Sequence, residues 1–285
     1  MKLIEITGEK RYEALEDDYS TLLLEGGMAL KGCTKISQVE ARHLIPDLIK
    51  KIAAKLEIPA SKIKNAGSAG KKPHDQDISG DIDLAVEAPR NKVEQALADL
   101  AYDDHRAMPA INVYSFNTKH LDKLIQVDLI PVDDLKYAEW SYLAHNNDLK
   151  MGLKGAHRNE LFFAVAKHAN RHVLDTDKDG EPVEVERYFY DLSKGLMTGK
   201  ATRKGKRGTT KTWTTTDKHV LTKDPEKIAR ILFGSTAEKC STFKGTLAAI
   251  RDDKFPYPDL RDKMLDTARE GIRNKGLRVP QELLN

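Results

Sequence analysis

The stretch NAGSAGKKPHDQDISGDIDLAVEAP, residues 65–89, joins two small-residue turns and a polar loop to a pair of aspartates in an apolar run. Successive side chains of a β-strand alternate between its faces, so Asp81 and Asp83 point one way while Ile82 and Leu84 point into the opposite layer. Two carboxylates therefore converge on one side of the expected strand. Like charges this close cost free energy unless a cation neutralises them, and Mg²⁺ prefers carboxylates together with substrate phosphates.

A third carboxylate stands in LIQVDLIPV, residues 124–132, a second apolar run with strand character. An unpaired charge inside such a strand is costly, so Asp128 needs a partner. If this strand lies beside the strand at 81–87, Asp128 completes a three-aspartate site with Asp81 and Asp83. Such a site can hold two Mg²⁺ ions, with Mn²⁺ as an alternative, that activate an attacking hydroxyl and stabilise a pyrophosphate leaving group.

The loop between the turns predicts a phosphate-binding segment. Glycine allows close backbone approach, backbone N–H groups and serine hydroxyls donate to phosphate oxygens, and lysines supply positive charge. The candidate nucleotide-binding residues of this segment are Gly67, Ser68, Lys71, Lys72, Ser79 and Gly80. Together with the aspartates, they are expected to hold a nucleoside triphosphate and its metal ions.

Helical and extended patterns alternate around this stretch. Ser37 and Glu40 have the spacing of a capping box, and apolar residues recur at helical intervals from Ile45 to Leu56. DIDLAVE predicts a strand, NKVEQALADL a helix, and INVYSF and KLIQVDLIPV two more strands. The expected order is helix, loop, strand, helix, strand, strand.

The order of these motifs resembles the nucleotidyltransferase superfamily typified by DNA polymerase beta. The resemblance covers about residues 37–135, and SGDIDLAV with VDLIPV is similar to the palm of family-X polymerases. It implies an α+β fold: a mixed sheet with helices on one face, followed by a smaller, mainly helical C-terminal part with a β-hairpin. The implied domains are a palm with an N-terminal helical segment at 1–150 and a C-terminal domain at 151–285.

The resemblance also implies roles for single residues. Asp81 and Asp83 correspond to the aspartates that bind both metal ions, and Asp128 to the one that accepts the proton of the primer hydroxyl or binds the catalytic metal. Ser68 and Gly80 match the serine and glycine that contact the triphosphate. Either Lys71 or Lys72 stands where a phosphate-binding arginine is usual.

A weaker likeness continues into GLKGAHRNELFFAVAKHA, where Gly155 fits the glycine turn that opens the helix packing on the incoming nucleotide. Gly152 and Leu153 occupy the positions of the family's aromatic pair, so the choice between ribonucleotides and deoxyribonucleotides stays open. Beyond this helix the patterns predict a β-hairpin within 172–190 and helices at 225–233 and within 259–274.

The strongest concentration of charge lies between Asp191 and Asp224, where nine Lys or Arg residues stand against one acidic residue. One interpretation is a mobile, solvated loop. The other is a flexible arm that follows phosphates and stacks a base on its tryptophan. The charge distribution favours contact with RNA or DNA, and the candidate residues are Arg203, Lys204, Lys206, Arg207, Lys211 and Trp213.

An acidic segment, DTDKDGEPVEVE at 175–186, matches the spacing of a calcium-binding loop. Pro182 stands where such loops usually carry an apolar residue, and no second loop of this kind follows. A solvated hairpin tip is therefore the favoured interpretation, and calcium binding stays open.

Composition excludes several classes of protein. The chain has 285 residues, a formal net charge of +3, 40% hydrophobic residues and two cysteines without metal-ligand spacing, so a disulfide framework is not expected. We find neither a signal-peptide pattern nor an apolar run long enough to cross a membrane. The expected location is the cytoplasm, which would be the host cytoplasm for a virally encoded protein.

The sequence thus predicts an enzyme that moves a nucleoside monophosphate from an NTP or dNTP to a nucleic-acid 3′-hydroxyl with release of pyrophosphate. Two alternatives remain open at this stage. One is transfer of the nucleotide to a protein or a small molecule, and the other is a catalytically silent nucleic-acid-binding module.

Overall fold

The computed structural model describes residues 30–109, 112–142, 145–204 and 212–284. These residues form two compact units. The first comprises the described residues up to Val132 together with Arg273–Arg278, and the second comprises Asp133–Ile272 and the residues from Val279 onward. The contacts thus divide the chain after Val132, whereas the sequence analysis placed the division at residue 150. The expected N-terminal helical segment falls partly in residues 1–29, outside the described residues.

The first unit is built on a mixed five-stranded sheet. Its elements are β1 (Ile36–Ser37), α1 (Gln38–Lys55), β2 (Ile63–Asn65), β3 (Ile78–Ser79), β4 (Ile82–Val86), α2 (Arg90–Leu100), β5 (His105–Met108), β6 (Val113–His120) and β7 (Lys123–Pro131). The sheet has the order β2-β4-β7-β6-β5, in which only the β4–β7 pair is parallel, and β1 pairs separately with β3. The predicted α+β class with a mixed sheet is therefore confirmed.

The strand alternation predicted for β4 is present. Ile82 and Leu84 are fully buried, whereas Asp83 between them is only half-buried on the other face. Apolar residues of α1 and α2, among them Ile52 and Val93, belong to the same hydrophobic core as these strand residues. The core thus anchors one face of the sheet and leaves the aspartate face available for polar side chains.

The start of α1 fixes the polar loop that precedes β4. Ser37 and Glu40 form the predicted capping box. β1 pairs with β3 through Ile36 opposite Ser79, and the backbone N–H of Gln38 donates to the carbonyl oxygen of Asp77 at 3.0 Å. The later end of the loop is therefore attached to the beginning of α1, and its start is attached to β4 because Asn65 pairs with Leu84.

The second unit combines helices with a four-stranded antiparallel sheet. Its elements are α3 (Leu135–Tyr142), α4 (Asn146–Lys150), α5 (Gly155–His168), β8 (Asn170–Thr176), β9 (Pro182–Asp191), β10 (Gly195–Lys204), β11 (Thr212–Thr222), α6 (Pro225–Phe233), α7 (Phe243–Arg251), α8 (Arg261–Asn274) and α9 (Gln281–Leu284). The sheet order is β11-β10-β9-β8. The predicted helices at 225–233 and within 259–274 are confirmed.

The prediction of a flexible basic arm between Asp191 and Asp224 is wrong for the part of this segment that the structure describes. Residues 195–204 and 212–222 are paired strands, so the expected single hairpin is half of a larger sheet. Charge and glycine content suggested a loop, but the many threonines are β-branched and suit extended backbone. Lys204 and Trp213 lie in these strands, and Lys206, Arg207 and Lys211 fall outside the described residues.

The acidic segment is the tip of the predicted hairpin between β8 and β9, which pair antiparallel. Asp177 closes its turn, because Oδ1 accepts the backbone N–H groups of Asp179 and Glu181, both at 3.0 Å. Glu186 lies within β9 and accepts hydrogen bonds from Arg171 at 2.8 Å and Thr198 at 3.0 Å. These carboxylates therefore take part in the hairpin itself.

A buried arginine holds the helices of the second unit together. Arg158 is 1% exposed, and its guanidinium donates to the carbonyl oxygens of Trp140 at 2.6 Å, Ser141 at 2.9 Å and Ser241 at 3.2 Å. Burial lowers the pKa of Arg158, and the nearby Asp148 carboxylate opposes that shift. The group thus links α3, α5 and the segment that precedes α7.

Both cysteines are buried and free. Among the residues that the structure describes, no helix is both long enough and apolar enough to cross a lipid bilayer.

The ion pair at the start of α1 gives a test of the fold by pH. Lys123 Nζ donates to Glu40 Oε1 at 2.6 Å, and the Ser37 N–H and hydroxyl each donate to Glu40 Oε2 at 2.9 Å. These hydrogen bonds, that of Lys123 first, lower the pKa of Glu40 from 4.5 to about 2. A carboxyl group whose pKa is lower in the folded state stabilises the fold above its unfolded pKa, and this stabilisation is lost as the pH falls towards the folded pKa.

We therefore expect Glu40→Gln to be less stable than wild type at pH 7, and the difference to shrink as the pH falls from 5 to 3. Urea denaturation at each pH measures it. Glu94→Gln, at an exposed position of α2, is the control and should show no such trend. A difference between Glu40→Gln and wild type that stays constant across this pH range would contradict the assignment.

Candidate metal and phosphate site

Three carboxylates meet at one point of the first unit. Asp81 immediately precedes β4, Asp83 lies within β4, and Asp128 lies within β7. The parallel β4–β7 pairing puts Asp83 directly beside Asp128. One oxygen from each of the three side chains lies within 4.8 Å of the other two. This is the convergence that the strand spacing predicted.

The three acidic groups differ in burial. Asp128 is 8% exposed, whereas Asp81 and Asp83 are half-buried. Burial raises the pKa of Asp128, and the hydrogen bond from Gln126 opposes that shift. Carboxylate oxygens at this spacing are the hard ligands that Mg²⁺ or Mn²⁺ takes, and a divalent cation would offset their mutual repulsion. The donor set therefore fits the expected metal.

A buried amide orients Asp128. Gln126 is 1% exposed and lies two residues before Asp128 on the same face of β7. Its Oε1 accepts the backbone N–H of Leu30 at 3.1 Å, and its Nε2 donates to Asp128 Oδ1 at 2.9 Å. Because the backbone N–H can only donate, it fixes which way the amide points. The sequence analysis missed Gln126, although its spacing from Asp128 was a usable signal.

Gly67 lies against Asp83. The N–H groups of Ala66 and Gly67 point at the carbonyl oxygen of Asp83, at 2.9 Å and 3.4 Å. A Cβ on Gly67 would overlap Asp83 Oδ2 and would lie 3.0 Å from the Cγ of the same carboxylate. A side chain at position 67 would therefore displace the Asp83 carboxylate, which occupies the space that the side chain would take.

The two adjacent lysines of the loop contact its start and its end through their ammonium groups. Lys71 Nζ donates to the carbonyl oxygen of Asn65 at 2.6 Å, and Lys72 Nζ donates to that of Ile78. Both side chains are half-buried. They place two positive charges on the segment that the sequence assigned to phosphate binding.

The loop serines form a chain that leads inward. Ser68 is half-buried, and its Oγ lies 3.4 Å from the Oγ of Ser79, which is 5% exposed. Ser79 Oγ in turn accepts the Nε2 of Gln38 at 3.1 Å. Gly80 is half-buried between Ser79 and Asp81. Thus Ser79 lies behind Ser68, and Gln38 is a second buried amide that the sequence analysis missed.

The remaining candidate residues belong to the second unit. Gly155 is the first residue of α5. Arg203 is half-buried in β10 at 3.8 Å from the carboxylate of Glu181, and it stands opposite Trp213 in the β10–β11 pairing.

Replacement of Gly67 tests the close approach to Asp83. We expect Gly67→Ala to push the Asp83 carboxylate aside and to weaken Mn²⁺ binding by about tenfold or more, the scale seen when support of a metal ligand is lost. Electron paramagnetic resonance titration of Mn²⁺ measures it. Gln95→Ala, at an exposed position of α2, is the control and should leave Mn²⁺ affinity unchanged. Equal affinities in wild type and Gly67→Ala would refute this role.

Replacement of Gln126 tests the orientation of Asp128. Gln126→Met keeps the side-chain length but removes the donor to Asp128 Oδ1, so Mn²⁺ affinity should fall by about 10- to 100-fold. The same titration measures it, with thermal unfolding as a check on folding. Gln95→Met, on the exposed side of α2, is the matched control. A folded Gln126→Met variant that binds Mn²⁺ like wild type would show that Asp128 needs no such support.

No family model, curated protein or solved structure matches the chain. What the molecule does must therefore be inferred from its own residues. Those residues provide a mixed sheet, three converging carboxylates and a loop with two lysines and a serine chain beside them.

Proposed function

We propose that the protein is a metal-dependent nucleotidyltransferase. The observation that carries the proposal is the convergence of Asp81, Asp83 and Asp128, with one oxygen of each within 4.8 Å of the others. A divalent cation stabilises carboxylates that meet this closely, and Mg²⁺ binds such oxygens together with the phosphates of a substrate.

The reaction follows from the residues around this point. Asp81, Asp83 and Asp128 would hold two Mg²⁺ ions, which when bound neutralise the negative charge on the phosphates. Ser68 and the backbone of Gly80 donate hydrogen bonds to the triphosphate, and the positive charge of the loop lysines attracts it. The acceptor hydroxyl oxygen attacks the α-phosphorus and its proton passes to Asp128. The bond from the α-phosphorus to the β-phosphate oxygen breaks, and pyrophosphate leaves.

The acceptor we favour is a nucleic-acid 3′-hydroxyl. Its support is the charge of residues 192–223, with nine Lys or Arg residues against one acidic residue. Much of this segment forms β10 and β11, so its described basic side chains are attached to a paired framework rather than to a free arm. A framework that holds cations in fixed positions suits a phosphate backbone.

The experiment offers labelled nucleotides to separate acceptors. Each of four ribonucleotides and four deoxyribonucleotides is incubated with Mg²⁺ and with primed DNA, single-stranded DNA, single-stranded RNA, transfer RNA or a protein mixture. We expect label on a nucleic-acid 3′ end and an equal amount of pyrophosphate. Label on protein alone would contradict a nucleic-acid acceptor and indicate that the acceptor is a protein. Nucleic-acid binding without pyrophosphate release under any condition would overturn the proposal that the protein is an enzyme.

Replacement of the aspartates tests their roles. Asp81→Asn, Asp83→Asn and Asp128→Asn should each lower the rate by about 10³ or more, because loss of several kcal/mol of metal-dependent stabilisation corresponds to that factor. The same variants should unfold at the same temperature as wild type or higher in metal-free buffer, since each removes one of three repelling charges. Asp99→Asn, in α2, is the control. Full activity of any folded variant of the three aspartates would contradict the proposed site.

A further inference from the structure

A fully buried glutamine contacts the candidate phosphate loop at two places. Gln38, the first residue of α1, is 0% exposed. Its Oε1 accepts the backbone N–H of Lys72 at 3.0 Å, and its Nε2 donates to the hydroxyl of Ser79 at 3.1 Å. The amide therefore bridges the two arms of the loop, one before and one after its outer turn.

The backbone contact fixes the orientation of the Gln38 amide. The Lys72 N–H can only donate, so the amide oxygen must face it and the amide NH₂ must face Ser79. An NH₂ group only donates, so Ser79 Oγ is the acceptor of that bond. A hydroxyl has a single proton, and that of Ser79 remains to be donated elsewhere.

The hydroxyl of Ser68 is a hydrogen-bond partner within reach of Ser79. Ser68 Oγ lies 3.4 Å from Ser79 Oγ, and Ser79 is 5% exposed, which shields this contact from water. When Ser79 donates to Ser68, the proton of Ser68 is free to point away from Ser79. The separation is long for a pair of hydroxyls, and contacts of this kind tighten when a substrate binds.

We propose that Gln38 is a positioning residue that joins the two arms of the phosphate loop through its buried amide, so that Ser68 is held where it can donate to a phosphate oxygen. The inference rests on the proposed function, because it assigns the ligand of Ser68 as a phosphate of the bound nucleotide. Its basis is the bridge from the Lys72 N–H through the Gln38 amide to Ser79, together with the contact between Ser79 and Ser68.

Loss of this bridge would work against phosphate binding. Without the Gln38 amide, the two arms of the loop lose the group that joins the Lys72 N–H to the Ser79 hydroxyl. Ser79 and the neighbouring Ser68 would then no longer be held at one position, and the hydrogen bond from Ser68 to a phosphate oxygen would weaken.

The test uses a probe without base or sugar. Binding of inorganic tripolyphosphate in excess Mg²⁺ is measured by calorimetry for wild type, Gln38→Met, Ser79→Ala, Ser68→Ala and the double variant Gln38→Met with Ser68→Ala. We expect each single variant to bind about tenfold more weakly than wild type. Gln38→Met should cause no further loss once Ser68 is replaced, because Gln38 acts through Ser68. Gln95→Met is the control.

A kinetic readout separates this role from general support of the fold. In the labelled-nucleotide assay, Gln38→Met and Ser79→Ala should raise KM for the nucleotide by the same factor as the binding loss, while kcat changes by less than about twofold, as expected for uniform binding. If Gln38→Met does not fold, the same comparison can be made with Ser79→Ala, measured as a single variant and as a double variant with Ser68→Ala.

The outcomes distinguish the two proposals. Failure of wild type to bind tripolyphosphate with Mg²⁺ would overturn the phosphate site, and with it the proposed function and this inference. Binding by wild type, with Gln38→Met unaffected or with losses that add in the double variant, would overturn the inference alone and leave the proposed function standing.

Discussion

Asp83 and Asp128 face each other because β4 and β7 run parallel with these two residues in register. That pairing is itself held by apolar side chains of the opposite face, such as Ile82, Leu84 and Val127, which are fully buried in the core. The hydrophobic effect therefore maintains an arrangement that electrostatics alone would oppose, since Asp81 adds a third negative group to the same point. A divalent cation at that point, as proposed above, would offset the repulsion between these groups.

Two buried glutamines orient the polar groups around this point by the same means. A backbone N–H, from Leu30 or from Lys72, fixes the amide oxygen, and the amide NH₂ then donates to Asp128 or to Ser79. Neither glutamine is more than 1% exposed, so a misdirected amide would leave a donor or acceptor unsatisfied. The polar groups around this point are thus oriented by two buried amides.

Local patterns in the sequence predicted the features that depend on residues close together in the chain. The alternation around Asp83, the isolated Asp128 in an apolar strand and the Ser37–Glu40 capping box all appear in the structure. The basic strands were misassigned, because charge and glycine suggested a loop where threonines pair across β10 and β11. Gln38 was missed because its partners are Lys72 and Ser79, and a partner more than thirty residues away leaves no local pattern.

The central claim is that three carboxylates share divalent cations. Crystals grown with Mn²⁺ and a non-hydrolysable nucleoside triphosphate, with anomalous diffraction recorded at the manganese edge, test it most directly. The account predicts anomalous peaks within coordination distance, about 2.1 Å, of oxygens from Asp81, Asp83 and Asp128. Peaks elsewhere, or a well-ordered site in which these carboxylates bind only protein groups and water, would contradict it.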